Sequence, residues 1–145
     1  RVLPIDFRGY GNSTPGESGS ALHEDILGAI LYLQAEGAKR VSLVGGSMGG
    51  GAAARAAALA KKGQIDRLIL LAHAPISNPE DITAGSSLFV VSQGDGLVSR
   101  VKAQFEKAPE PKRLEILEGN AHAQHIFKTP QGEILMDMIT EFLSE

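Results

Sequence analysis

Ser47, Asp95 and the histidines His122 and His125 are the residues whose types and spacing could do chemistry. Ser47 stands in Gly45-Gly46-Ser47-Met48-Gly49. This G-x-S-x-G pattern, in a strand–turn–helix context, lifts a serine hydroxyl clear of a sheet. The context is present: Val41 to Val44 reads as a short apolar strand, and an alanine-rich helix follows Ser47 to about Lys61. The turn between them must be tight. A side chain at Gly45 or Gly49 is expected to collide with the neighbouring backbone, which makes glycine the permissive residue. The serine then lies at a helix N-terminus, where backbone N–H groups favour developing negative charge. As a bare string, a glycine-rich turn that merely packs closely would look the same.

A lone serine is a poor nucleophile and needs a base, with a third group to orient that base. In open parallel sheets reactive residues gather at the carboxyl ends of the strands. After the run Leu88 to Val91 comes Ser92-Gln93-Gly94-Asp95-Gly96, and after Arg113 to Leu117 comes Glu118-Gly119-Asn120-Ala121-His122-Ala123-Gln124-His125. Asp95 beside glycines also fits ordinary turn chemistry. His122 and His125 are both placed to reach Ser47, and either could instead face solvent. The order Ser47, Asp95, His is the one found with strand-turn nucleophiles of this kind.

The elements that must position these residues alternate. Strands are expected at Val2 to Phe7, Val41 to Val44, Leu68 to Ala72, Leu88 to Val91 and Arg113 to Leu117. Leu68 to Ala72 is a continuous apolar run, as in a strand buried on both faces. Leu22, Ile26, Ile30 and Leu33 recur at helical spacing after Ser20, a candidate N-cap. Val98, Val101 and Phe105 mark a short amphipathic helix, and Ile134, Leu135, Met138, Ile139, Phe142 and Leu143 a closing one. Pro75 to Ser87 reads as a loop with one helical turn at Pro79 to Ile82, and Gly119 to Thr129 as a loop. The alternation predicts an α/β fold with a mainly parallel sheet and right-handed crossovers, in one domain spanning residues 1–145.

Composition removes several other classes. The 145 residues carry 21% charged and 43% apolar residues, an ordinary globular balance. A net charge of −3 gives no basic footprint for nucleic acid. There is no cysteine, and no carboxylate stands beside His122 and His125 to complete a zinc set. No apolar run approaches the length of a bilayer span. The chain begins at Arg1 rather than Met, so a missing signal peptide says nothing about secretion; the compartment is open, cytoplasmic by default.

The sequence resembles the α/β-hydrolase family, through Asp6-Phe7-Arg8-Gly9-Tyr10-Gly11-Asn12-Ser13 (the family's D-x-R-G-x-G-x-S loop), Gly45-Gly46-Ser47-Met48-Gly49, Gly94-Asp95 and Gly119-Asn120-Ala121-His122. The resemblance covers essentially the whole chain and corresponds to the C-terminal two-thirds of the family fold, lacking its N-terminal strands. It implies Ser47 as nucleophile, His122 rather than His125 as base and acid, and Asp95 as orienter. The backbone N–H of Met48 is then one oxyanion donor. The second donor in the family comes from a loop after an earlier strand, which this sequence does not contain. In the family's sheet order that strand lies between Val2–Phe7 and Val41–Val44. Residues before Arg1 are expected to fill the gap; the other solutions are direct pairing of the first two strands, or a second chain completing the sheet.

The connection from Ala72 to Leu88 has no room for a helical lid. That resembles compact esterases and dienelactone-hydrolase-like members, and implies an open site for a small-molecule ester with no metal or organic cofactor. Two other classes compete with this reading. Gly49 to Ala54 fits the dinucleotide pattern weakly, but Asp66 precedes its strand and lies at the wrong end of the sheet. No Lys follows the glycines as a phosphate loop requires. A non-catalytic hydrolase-like binding module, or an inactive fragment lacking half its oxyanion hole, is the other alternative.

Overall fold

The computed structural model describes residues 1–16 and 21–145. Four apolar runs form one parallel sheet: β1 (Ser42–Gly46), β2 (Arg67–Leu71), β3 (Ser86–Ser92) and β4 (Lys112–Leu117), in the spatial order β1-β2-β3-β4. The most apolar runs lie in the middle. Leu68 to Leu71 and Leu88 to Val91 are buried on both faces, and burial of each large side chain contributes about 1.5–3 kcal/mol. Each strand begins or ends within two residues of its expected bound.

The crossovers are α1 (Leu22–Ala35), α2 (Ser47–Leu59), α3 (Val98–Lys107) and α4 (Gly132–Ser144), with 3-10 turns at Pro79–Asp81 and Ala123–Lys128. The second of these turns lies inside the expected loop 119–129. Ile26 and Ile30 bury one face of α1. Ser20, the expected N-cap, lies outside the described residues, and Ala21 at the cap position makes no side-chain cap bond. The buried face of α2 is Gly50 to Ala54, Ala56 and Ala57, so the helix backbone can lie close to β1 and β2. Thr83 stops α2 two residues before Lys61. Its hydroxyl donates to the carbonyls of Ala57 and Ala60, and its N–H donates to Ala57, satisfying helix-end acceptors.

The expected strand at Val2 to Phe7 does not form. The reason is the lack of a partner: a cavity of about 970 Å³ separates this segment from β1, lined by Val2, Leu3 and Ile5 on one side and Leu43, Val44 and Ala53 on the other. Backbone polar groups stay in a ladder only when another strand answers them, and Pro4 has no N–H to offer. Val2 is 89% exposed and Val44 is 52% exposed. The first segment is held instead by the loop that follows it. Arg8 binds Asp25 of α1 through both its backbone N–H and its guanidinium, at 2.9 Å each, and pairs with Glu24 at 3.1 Å. The Arg8 hydrogen bond holds the Asp25 carboxyl below its ordinary value. The Asp6 carboxylate accepts from the Asn12 N–H, and the Ser13 hydroxyl donates to the Asp6 carbonyl.

β1 is therefore an edge strand on its cavity side, and in a parallel ladder alternate residues direct their backbone groups to each side. Amide hydrogen exchange should find alternate β1 amides exchanging at least about ten-fold faster than those of β2 and β3.

Candidate active site

The glycine-rich turn folds as tightly as its sequence requires. β1 runs to Gly46, and α2 begins at Ser47, whose backbone is left-handed at φ 51°. A Cβ at Gly45 would lie 2.7 Å from the Gly49 carbonyl oxygen and 2.8 Å from the Gly50 Cα. No side chain fits there. Gly49 differs from expectation: a Cβ on it would meet only the Phe7 ring, at an ordinary 3.6 Å. The second close approach lies one residue on, where a Cβ at Gly50 would stand 2.7 Å from the Cβ of His73. The start of α2 is thus pressed on the segment after β2, and the Ala74 N–H donates to the Ser47 carbonyl at 2.9 Å.

Three loops bring their side chains into one line. His122 Nε2 lies 2.8 Å from Ser47 Oγ, and His122 Nδ1 lies 2.8 Å from Asp95 Oδ2. Asp95 follows β3 and is buried, and its Oδ1 accepts the Leu97 N–H at 2.7 Å. That bond fixes the carboxylate plane. The loop carrying His122 is tied to the same strand end by the Ser92 hydroxyl, which donates to the Ala121 carbonyl at 2.7 Å. An Asp-bound Nδ1–H leaves Nε2 as the acceptor facing the serine hydroxyl, the tautomer a base needs. Ser47 and Met48 occupy the first turn of α2, where N–H groups lack intrahelical acceptors. His125 is exposed on the 3-10 turn and its N–H donates to the His122 carbonyl. Among the described residues no three His, Cys, Asp or Glu side chains gather as a metal site, and no helix is long and apolar enough to cross a membrane.

Two neighbours of the site were not foreseen. The Tyr10 hydroxyl lies 3.6 Å from Met48 Sδ, so the loop after residue 7 reaches the residue next to Ser47; nothing in the sequence signals that contact. His73, the second residue after β2, is 1% exposed. The signal was the pair Gly50 and Gly51, small residues in a helix that must lie against something close.

A parallel sheet with a serine at a strand-to-helix turn, and its partners on loops after later strands, defines an α/β-hydrolase architecture. The family described as alpha/beta hydrolase fold matches residues 1–86, and the chain belongs to it. Among solved structures, a CIB-like hydrolase from Thermoplasma acidophilum is similar at 25% identity with a TM-score of 0.71, over 92% of this chain and 69% of that one. A dienelactone hydrolase from Anabaena variabilis is 22% identical with a TM-score of 0.70, over 85% of this chain and 58% of that one. An esterase from Exiguobacterium antarcticum shares the fold at 15% identity and a TM-score of 0.75, over 97% of this chain and 80% of its own. The chain therefore spans only part of each. No curated protein sequence matches it.

Burial pushes the His73 pKa down to about 4, with the Gln104 side chain acting in the opposite direction. Above pH 6.5 the ring is neutral in both the folded and the unfolded chain and contributes no pH dependence. As pH falls from 6.5 to about 4, the unfolded chain takes up a proton that the folded chain refuses, so stability is lost across that window. The loss reaches about 3 kcal/mol. Denaturant unfolding at pH 7 and pH 4 should show a smaller drop for His73→Phe than for the parent chain; equal drops would remove His73 from the acid response.

Proposed function

We propose that the chain is a serine hydrolase that cleaves small carboxylic esters through an acyl-enzyme. The observation that carries the reading is the hydrogen-bonded line Ser47 Oγ, His122 Nε2 and Nδ1, Asp95 Oδ2, with both links at 2.8 Å. In this mechanism Ser47 Oγ attacks the ester carbonyl carbon and His122 Nε2 accepts the hydroxyl proton. Asp95 keeps the imidazole oriented and stabilises the imidazolium. The tetrahedral oxyanion meets the Met48 N–H at the α2 N-terminus. Collapse expels the alcohol, which takes the proton from His122. A water molecule, deprotonated by the same nitrogen, then attacks the acyl carbon and frees Ser47. Ser47 and the His122 side chain are only partly buried, which suits a small substrate entering from solvent. The esterase and dienelactone hydrolase among the similar structures accord with ester chemistry.

The reading includes a strand in the cavity beside β1, supplied by further polypeptide or a second chain. Gly45, Gly46 and Gly49 line the inner end of that cavity, so a strand there would bring its backbone to the serine and offer the second oxyanion donor. With the Met48 N–H alone, turnover would be lower by roughly 10²–10³-fold.

Ester hydrolysis and labelling by a serine-directed phosphonate test the proposal together. Ser47→Ala should abolish both. His122→Ala should lower kcat by about 10⁴-fold or more, while His125→Ala should stay within about two-fold. A folded chain that never labels supports the non-catalytic binding reading, and the opposite ranking of the two histidines would reassign the base.

A further inference from the structure

The loops that carry Asp95 and His122 are joined to each other before those side chains meet. β3 ends at Ser92, opposite Leu117 of β4. Past that pair the ladder runs on into the loops. The Gln93 N–H donates to the Leu117 carbonyl at 2.8 Å, and the Gly94 N–H to the Gly119 carbonyl at 2.9 Å. A Cβ on Gly94 would lie 3.0 Å from the Asn120 Cβ and 3.1 Å from the Gly119 carbonyl oxygen, so the two loops pass in tight contact.

Ser92 is bonded to both halves of the pair. Its carbonyl accepts the Asp95 N–H at 3.0 Å, closing the turn on which the carboxylate sits. Its hydroxyl donates to the carbonyl of Ala121, the residue before His122, at 2.7 Å. Any residue could make the first bond, because it belongs to the main chain. The second needs a short side chain with a donor. Ser92 is 1% exposed, and a buried hydroxyl is costly unless it is bonded.

His122 has need of such an anchor. The Asp95 side chain is 3% exposed, the His122 side chain 39%. Packing holds the carboxylate, whereas the imidazole depends on the backbone that carries it. That backbone is held on both sides. Before it stands the Ala121 carbonyl on Ser92. After it stands Ala123, buried at φ 47°, whose Cβ would lie 3.4 Å from a Cβ on Gly46. A positive φ at a non-glycine residue persists only where the surroundings over-determine it.

We propose that Ser92 is a positioning residue for His122: its hydroxyl fixes the Ala121 carbonyl and so sets the imidazole in register with both the Asp95 carboxylate and Ser47 Oγ. Removing the hydroxyl leaves the Asp95 turn closed by the main chain but releases the histidine loop. The imidazole then spends part of its time away from Asp95, where nothing commits the proton to Nδ1. The kinetic arm of the inference rests on the hydrolase reading above; the tautomer arm does not.

The test compares Ser92→Ala, which deletes a single oxygen, and Ser92→Thr, which keeps the hydroxyl, with the parent chain. Nitrogen-15 shifts of the His122 ring at pH 8 should report the Nδ1–H tautomer in the parent chain. In Ser92→Ala the Nε2–H tautomer should appear beside it, and Ser92→Thr should restore the parent pattern. Ester kcat, counted per phosphonate-titrated site, should fall about ten-fold or more in Ser92→Ala at unchanged KM. In Ser92→Thr it should return to within about three-fold of the parent. If Ser92→Thr does not fold, Ser92→Cys takes its place; its thiol is a weak donor, and its values should fall between those of the parent and Ser92→Ala. A parent-like tautomer in Ser92→Ala overturns the proposal. So does a fall in kcat that the variant retaining a donor does not reverse. If the parent chain neither hydrolyses esters nor labels, the hydrolase reading fails, and the tautomer alone decides the role of Ser92.

Discussion

Everything at the site depends on holding Ser47 in a backbone conformation it does not favour. A left-handed φ at a residue with a Cβ costs roughly 1–2 kcal/mol. The strand-to-helix turn imposes it, because Gly45 lies against the carbonyl of Gly49 with no space for a side chain. The same turn sets the serine where N–H groups of α2 have no helical partner. Strain in the backbone and polarity at the hydroxyl thus arise from one geometric fact.

The strain is distributed around the site. Ser47, Ala72 and Ala123 are the non-glycine residues with positive φ among the described residues. Ser47 and Ala72 directly follow β1 and β2, and Ala123 follows His122 in the loop after β4. The three touch one another's neighbourhoods. The Ala74 N–H reaches the Ser47 carbonyl, and a Cβ at Gly46 would lie 3.4 Å from the Cβ of Ala123. Buried sheet on one side and the α2 helix on the other keep these turns from relaxing. The carboxylate of Asp95 adds a fixed point, since one oxygen is bound by the Leu97 N–H and the other faces the imidazole.

Much of this was legible in the sequence, and the parts that were not share a cause. β2 and β3 could be read because continuous apolar runs need no partner information to be recognised as buried strands. Ser47 and Asp95 could be found because each follows a strand in a parallel sheet; that rule left His122 and His125 equal, and only the family resemblance pointed to His122, the one brought into line. Val2 to Phe7 looks like a strand by composition, but a strand is a pairing, and among the described residues none pairs with it. Gly49 completes the motif and so suggests a second tight glycine, whereas the close contact falls on Gly50, set by where His73 lies. Tyr10 against Met48 and His73 under α2 are tertiary contacts between segments far apart in sequence. No local pattern announces them.

The central claim, that Ser47 forms a covalent acyl intermediate with help from His122, can be examined by mixing the chain with an activated acetate ester. The reaction is quenched in acid within the first turnovers and the peptides are mapped by mass spectrometry. The account predicts an acetyl group on Ser47 that accumulates in a burst and is absent when His122 is replaced. Ester cleavage with no acyl group on Ser47, or with the acyl group on another residue, would contradict it.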